Sequence, residues 1–182
     1  MDINTKFGYW IRVAPFTGFK VGKFSRPEYV GDVETPNSLN GLTIGQLIDL
    51  SEISEENESI YTIVNIVLGM ERAAIDNAKA VDVVRFVGWV STEVEKINKI
   101  FGTTEQEKPT AQQKKAGIDT LQFGLFGMLD WYALRMGISD HNEVLRTPWL
   151  RIYKCLDMDN KRRAYENRLQ KVQAEEMRHN NR

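Results

Sequence analysis

Cysteine, histidine and proline are scarce: the 182 residues hold one cysteine, two histidines and five prolines. One thiol, Cys155, cannot close an intramolecular disulfide, which excludes a disulfide-stapled fold and fits a reducing cytosol. His141, His179 and Cys155 fall at no recognised ligand spacing, so they read as two surface histidines and a half-buried thiol rather than a metal site. The formal net charge is -1, so no global field draws the chain to nucleic acid or anionic lipid. No apolar run reaches the ~20 mostly uncharged residues of a membrane span, because Asp119 and Asp130 bracket a shorter one. The opening MDINTKFGYWIRV lacks the basic segment and long apolar run of a secretion signal. The expectation is a protein made and kept in a cytosol, or packed into something assembled there. There is no internal repeat and no sustained heptad pattern.

What is present is an ordinary globular composition, 42% apolar and 27% charged, long enough for one domain or a domain with an appendage. The stretch around which the chain is read as organised is Ile118 to Met136, IDTLQFGLFGMLDWYALRM. Read as a helix it is hydrophobic on nearly every side, the pattern of a helix buried by its neighbours. Gly124 and Gly127 each cost ~1 kcal/mol in a helix interior. They make sense there if another backbone approaches closely, and the stretch is expected to be the central core helix.

The N-terminal part alternates. Phe7, Tyr9, Ile11 and Val13 fall on one side of an extended strand, and Phe19, Val21 and Lys23 alternate again after a turn at Pro15 to Gly18. This predicts a β-hairpin, with a short third strand near Tyr29 to Val33. A lone hairpin is marginal in water, so its aromatics must dock on the helices or on another chain. Glu34 to Gly41, ETPNSLNG, is a turn-rich linker and the best candidate boundary.

Beyond it the period becomes helical. Thr43 with Gln46 is a capping-box pattern opening a short helix through Ile44, Leu47 and Ile48. Ser54 opens a second, with Glu55, Glu56 and Glu58 in its first turn, where negative charge suits the helix dipole. Ile60, Ile63, Val64 and Val67 form its apolar stripe. A third helix is predicted from about Ala78 to Phe101, with Gly102 as its stop. Thr103 to Thr110 is a loop, and Ala111 to Lys115 lead into the central helix. Gly137 ends that helix. Ser139, Asp140 and Asn142 cap a short helix at Glu143 to Arg146, and Pro148 suits the first turn of the next, with Trp149, Ile152, Tyr153 and Leu156 on one face. Trp149 is expected to be buried. Asp157 to Asn160 is a pause before a polar helix carrying only Tyr165, Leu169 and Val172 as a narrow stripe.

The candidates for chemistry all have plainer explanations. Asp157-Met158-Asp159-Asn160 resembles the start of a calcium loop, but Lys161 takes the fifth position and the sixth lacks glycine, so it reads as a helix-boundary cluster. Gly124 and Gly127 follow no strand and precede no Lys-Ser/Thr pair, which argues packing over phosphate binding. Cys155 follows Lys154 without a histidine signature, and Glu55, Glu56 and Glu58 are explained by a solvated helix start. From Lys161 to Arg182 there are seven basic residues against three acidic, a local charge of +4. A solvated helix with pairs such as Arg162 with Glu166 accounts for this; a docking arm for an acidic partner or nucleic acid is the functional alternative.

Two stretches look like known phage proteins. Leu42 to Leu68, LTIGQLIDLSEISEENESIYTIVNIVL, resembles a motif of phage morphogenesis proteins in which a short LT-G-Q-(I)DL helix precedes an acidic helix start and an aliphatic helix. Gly117 to Arg168 resembles the C-terminal half of tail-assembly chaperone-like proteins of tailed bacteriophages. That half has an aromatic, glycine-containing helix, a D-NEVL-TPW--IY--L segment and a basic helix with Tyr and Arg. The matching residues are Asp140, Asn142, Glu143, Val144, Leu145, Thr147, Pro148, Trp149, Ile152, Tyr153, Leu156, Tyr165 and Arg168. The resemblance covers about two-thirds of the chain and omits the hairpin, which suits a subunit contact in a ring. It implies a non-enzymatic assembly factor that binds segments of a long tail protein, or a neck or tail component retained in the virion. The implied partners are other phage tail or neck proteins, or the chain itself as a ring oligomer, in the host cytoplasm during assembly or in the virion. A nucleic-acid-associated regulator using the basic helix is the alternative of different class, and a small enzyme a third.

The resulting expectation is a mainly α fold, a helical bundle around a central apolar helix with a small N-terminal β-hairpin and a C-terminal basic helix. The segments are 1–40 as arm and linker, 41–160 as helical core and 161–182 as basic tail, with no cofactor and no metal. Contacts with other proteins are assigned to the two ends: Phe7, Tyr9, Trp10, Phe16 and Phe19 at one, and Arg162, Arg163, Tyr165, Arg168, Leu169 and Val172 at the other.

Overall fold

The valine-rich stretch from Ala80 onward has the burial expected of a central helix. In the computed structural model, which describes residues 5–13, 24–53, 57–103, 109–121 and 123–180, it is the helix α5, Ala80–Gly102. Phe86, Val87, Gly88, Trp89 and Val90 are buried in succession, so one turn is covered on every side. Val83, Val94 and Ile97 extend the buried face. Of the described residues 73% are helical, as the periodicity predicted of a mainly α fold, and they include a two-stranded antiparallel hairpin near the N-terminus. It divides into two compact units, Met1–Lys99 and Ile100–Arg182, so the division falls near the end of α5. Among the described residues, no helix is long and apolar enough to cross a membrane.

The first unit begins with a correction. Phe7–Val13 is a helix, α1, and not the strand its alternation suggested. Phe7, Trp10 and Ile11 also satisfy the i, i+3, i+4 spacing, and a seven-residue run fits both periods. Tertiary bonds settle the choice. Ala80 N–H donates to Thr5 O at 2.8 Å and Phe7 N–H to Ala78 O at 2.9 Å, which anchors the chain just before α1 and sets Phe7 into the core. The second predicted strand, Phe19 to Lys23, lies outside the described residues. The hairpin itself pairs β1 (Tyr29–Val30) with β2 (Val33–Glu34), where only a short third strand was expected. Gly31, at φ 58°, supplies the backbone that a two-residue hairpin loop requires. Arg26 Nη1 donates to the carbonyl and hydroxyl oxygens of Thr35 at 2.7 and 2.8 Å, while the Thr35 hydroxyl donates to Pro27 O. The stretch before and after the hairpin is thereby stitched together, and Val30 and Leu39 are buried.

The helices of this unit follow their local signals. Thr43 caps α2, Ile44–Glu52, in a full capping box with Gln46, and α3, Asn57–Leu68, buries Ile60, Ile63 and Val64. The expected start of α3 at Ser54, with Glu55 and Glu56, lies outside the described residues. A six-residue helix that the sequence reading did not separate, α4 (Arg72–Asn77), leads into α5. Tyr61 holds α1, α3 and α4 together. Its ring meets Phe7 edge-on at 5.5 Å, Arg72 lies 4.1 Å over its face, and its hydroxyl donates to Asp76 Oδ1 at 2.7 Å. Burial, then the bond to Asp76, pushes the phenol pKa up to about 12 from 10.0. Between those values the folded chain keeps a proton that the unfolded chain has released, so stability present below pH 10 should fall as pH rises toward 12. Denaturant titrations across that range should show the loss in the parent, and Tyr61→Phe should remove Tyr61's share of it.

The close approach expected at Gly124 and Gly127 occurs instead at Gly88. A Cβ there would clash with the ring of Phe24, a side chain where a second backbone was expected. Gly88→Ala should therefore displace Phe24 and destabilise by ~1–3 kcal/mol, the range for overpacking, despite the better helix propensity of alanine. Chemical denaturation of the single variant measures it, and a stabilised variant would remove the seam.

The second unit contains α6 (Ala111–Lys115), a 3-10 turn at Ile118–Thr120, α7 (Gly124–Met136), α8 (His141–Leu145) and α9 (Trp149–Asn180). Thr110 and Gln113 cap α6 with a second capping box. Asp140 caps α8 by accepting from Asn142 N–H, and Gly137 closes α7 in a left-handed turn, as expected. Residues 118–136 are not one central helix. Gly117 turns the chain at φ 81°, and α7 buries only Leu129, Tyr132 and Ala133. A Cβ at Gly124 would meet nothing within 4 Å, and one at Gly127 would meet Phe123 Cβ, on the preceding turn, at 2.5 Å. Among the described residues, neither glycine marks the approach of a second backbone. Trp149 is buried as predicted, against the rings of Phe101 at 5.9 Å and Tyr153 at 6.4 Å.

Candidate functional site

The predicted pause at Asp157–Asn160 is absent, and its absence creates the surface of most interest. Helix α9 runs unbroken for 32 residues because the side chains that suggested a boundary are tied down along it. Lys161 Nζ lies 2.8 Å from Asp157, one turn back. Arg135, from α7, donates twice to Asp159 at 2.9 and 3.2 Å. That two-pronged bond lowers the Asp159 pKa and raises that of Arg135. Arg162 pairs with Asp159 at 3.7 Å, one turn back, and not with the Glu166 expected one turn on. These ion pairs occupy the carboxylates that looked like the start of a calcium loop, and the loop is helix. Among the described residues, no group of three or more His, Cys, Asp or Glu is placed to hold a metal ion.

Along α9 the face packed in its own unit ends early. Trp149, Ile152, Asn160 and Ala164 are buried; from Tyr165 to His179 every side chain is exposed except the half-buried Asn167. On the opposite face Met158, Tyr165, Leu169 and Val172 are 56, 57, 40 and 50% exposed. Their spacings of seven, four and three residues place all four on one side of the helix. Arg162 and Arg168 border them, while Arg163 and Lys171 lie round toward the other side of the helix. The sequence reading found three members of this stripe, and Met158 was missed because the supposed pause cut it off.

The other predicted contact residues separate. Tyr9 is 66% exposed and Trp10 half-buried, but Phe7 is fully buried against Trp10 and Tyr61, which takes it off any docking face. Phe16 and Phe19 lie outside the described residues. Apolar side chains that the sequence assigned to the core are instead open: Leu121, Phe123, Leu125, Phe126 and Leu134 on and just before α7 are all exposed. Phe126 stacks on His141 at 5.1 Å, and His141 Nε2 is 3.4 Å from Asp130. Cys155 accepts a 3.5 Å bond from Arg135.

In the first unit, a cleft of about 200 Å³ is lined by Leu50 and Ser51 of α2, Ile63 of α3, and Val90, Ser91, Val94, Glu95 and Asn98 of α5. Its floor is aliphatic and its rim polar. Helices α2 and α3 contain Asp49, Glu52 and Glu58 and no basic residue. On α5, Glu95 pairs with Lys99 at 2.7 Å.

No protein-family model, curated protein or solved structure matches the chain.

Proposed function

We propose that the chain is a non-enzymatic morphogenesis protein of a tailed bacteriophage, working in tail assembly through protein-protein contacts in the host cytoplasm. The observation that supports a contact role is the two groups of open apolar side chains on the second unit, Leu121 to Phe126 with Leu134, and Met158 to Val172. Exposed apolar surface of this kind commonly marks protein-protein sites. The phage assignment rests on the resemblance of 42–68 and 117–168 to morphogenesis and tail-assembly chaperone-like proteins. A chaperone of this kind binds aggregation-prone segments of a long tail protein and leaves before the particle is complete; a neck or tail ring component stays.

The test is made in infected cells. Purified particles should lack the polypeptide while lysates contain it bound to a tail protein. Retention in particles would favour the ring component, and absence of any tail or neck protein from both fractions would remove the assembly reading. The basic residues of α9 favour one reading of a different class, nucleic-acid binding. That binding would weaken steeply with added salt, and a mobility-shift assay across a salt series detects it.

A further inference from the structure

We infer that the exposed stripe of α9 docks into the α2/α3/α5 cleft of a second copy of this chain, joining copies head to tail. The inference rests on the assembly reading above and names one partner for it.

Three observations meet here. First, the exposed part of α9 carries anchors at Tyr165, Leu169 and Val172, the i, i+4, i+7 pattern by which an amphipathic helix seats in an apolar groove. Sixteen residues of helix beyond Ala164 gain almost no burial from their own unit, and isolated helices of that length are marginal in water. A groove supplies what this end of the helix lacks. Second, the first unit has a cleft of suitable chemistry, with Leu50, Ile63, Val90 and Val94 as an aliphatic floor. Its volume of about 200 Å³ admits Leu169, with Tyr165 and Val172 lying over the rim.

Third, charge favours this occupant over a second α9. Lys161 to Arg182 carries +4, so two such helices side by side repel. The first unit holds ten basic and fourteen acidic residues, a net of -4, and the second fourteen and eleven, a net of +3. Around the cleft, Asp49 and Glu52 of α2 and Glu58 of α3 have no basic neighbour on their own helices, although Glu58 pairs with Arg72 of α4. Glu95 shares Lys99. Lys96 of α5 is paired with Glu93 of the same helix. Arg162 and Arg168, which border the stripe, thus face a surface of net negative charge, which steers encounter and fixes register. Because the two patches differ, the contact is heterologous, and repeated contacts form a ring if the rotation closes and a filament otherwise.

Sedimentation velocity on the full-length chain at tens of micromolar tests this. The wild type should form species larger than the 21.0 kDa monomer, and they should dissociate as salt rises. Leu169→Asp, on the exposed helix, and the paired Glu95→Arg, Asn98→Arg, on the cleft rim, should each weaken association at least about tenfold. Mixed together, the two variants retain one good helix and one good cleft, and should form a dimer that grows no further. A monomeric wild type, or a cleft variant that associates as well as the wild type, overturns the proposal; the latter result would place the self-contact elsewhere, on a second α9 or on the open side chains of α7. Circular dichroism confirms that each variant is folded. A monomeric wild type whose tail-protein complex is lost on deleting residues 165–182 would overturn self-docking alone and leave the assembly reading standing.

Discussion

Replacing Trp149 with alanine is expected to destabilise the second unit by ~3–5 kcal/mol, the range for deleting a buried indole. Trp149 is the first residue of α9 and is 2% exposed. It lies beside Phe101 and Tyr153, whose own rings meet edge-on at 5.6 Å, so truncation removes one member of a three-ring cluster and leaves the others facing a cavity. Ile152, fully buried one turn on, cannot fill the space without moving the helix. Leu134→Ala is the internal control. Leu134 is 76% exposed, and its loss should stay within the ~0.5 kcal/mol of ordinary surface changes. Guanidinium denaturation followed by helical circular dichroism distinguishes the two. Similar small effects for both would place Trp149 outside the core.

Trp149 was legible because its signals are local: a proline that suits a first turn, followed by apolar residues at helical spacing. The same holds for Thr43 and Gln46, whose reciprocal bonds involve only four residues of chain. Residues 118–136 failed for a different reason. Apolar composition predicts that a surface will be covered, but not whether the cover comes from the same chain. Phe123, Leu125 and Phe126 look like core residues and are open. The glycine argument was sound in kind and misplaced in position, since Gly88 sits against Phe24, 64 residues earlier in the chain, a proximity that spacing along one helix cannot reveal. The cleft was invisible for the same reason: its lining comes from three helices, and none of its residues stands out in its own segment. Phe7 to Val13 was ambiguous in principle, because bonds to Ala78 and Ala80 decide it.

Those bonds also reverse the expectation for the N-terminal end of the chain, which was read, like the C-terminal tail, as an appendage to a helical core at 41–160. Removing Met1 to Asn40 is now expected to unfold the first unit. The segment contributes Phe7, Val30 and Leu39 to the core. Phe7→Ala alone should cost ~3–5 kcal/mol, and burial of Val30 and Leu39 contributes ~1.5–3 kcal/mol each. Their sum is comparable with the whole ~5–15 kcal/mol of a typical domain. The deletion also exposes the face of Tyr61 and leaves the carbonyl of Ala78 without the N–H of Phe7. At the other end the last buried side chain among the described residues is Ala164, so deleting residues 165–182 should leave the unfolding transition nearly unchanged while removing Tyr165, Leu169 and Val172 of the docking stripe. Thermal and chemical unfolding of the two truncations, beside Phe7→Ala in the full chain, separates an end that builds the fold from an end that presents a surface. A 41–182 chain that still melts cooperatively near the parent temperature would return the N-terminal segment to the role of an arm.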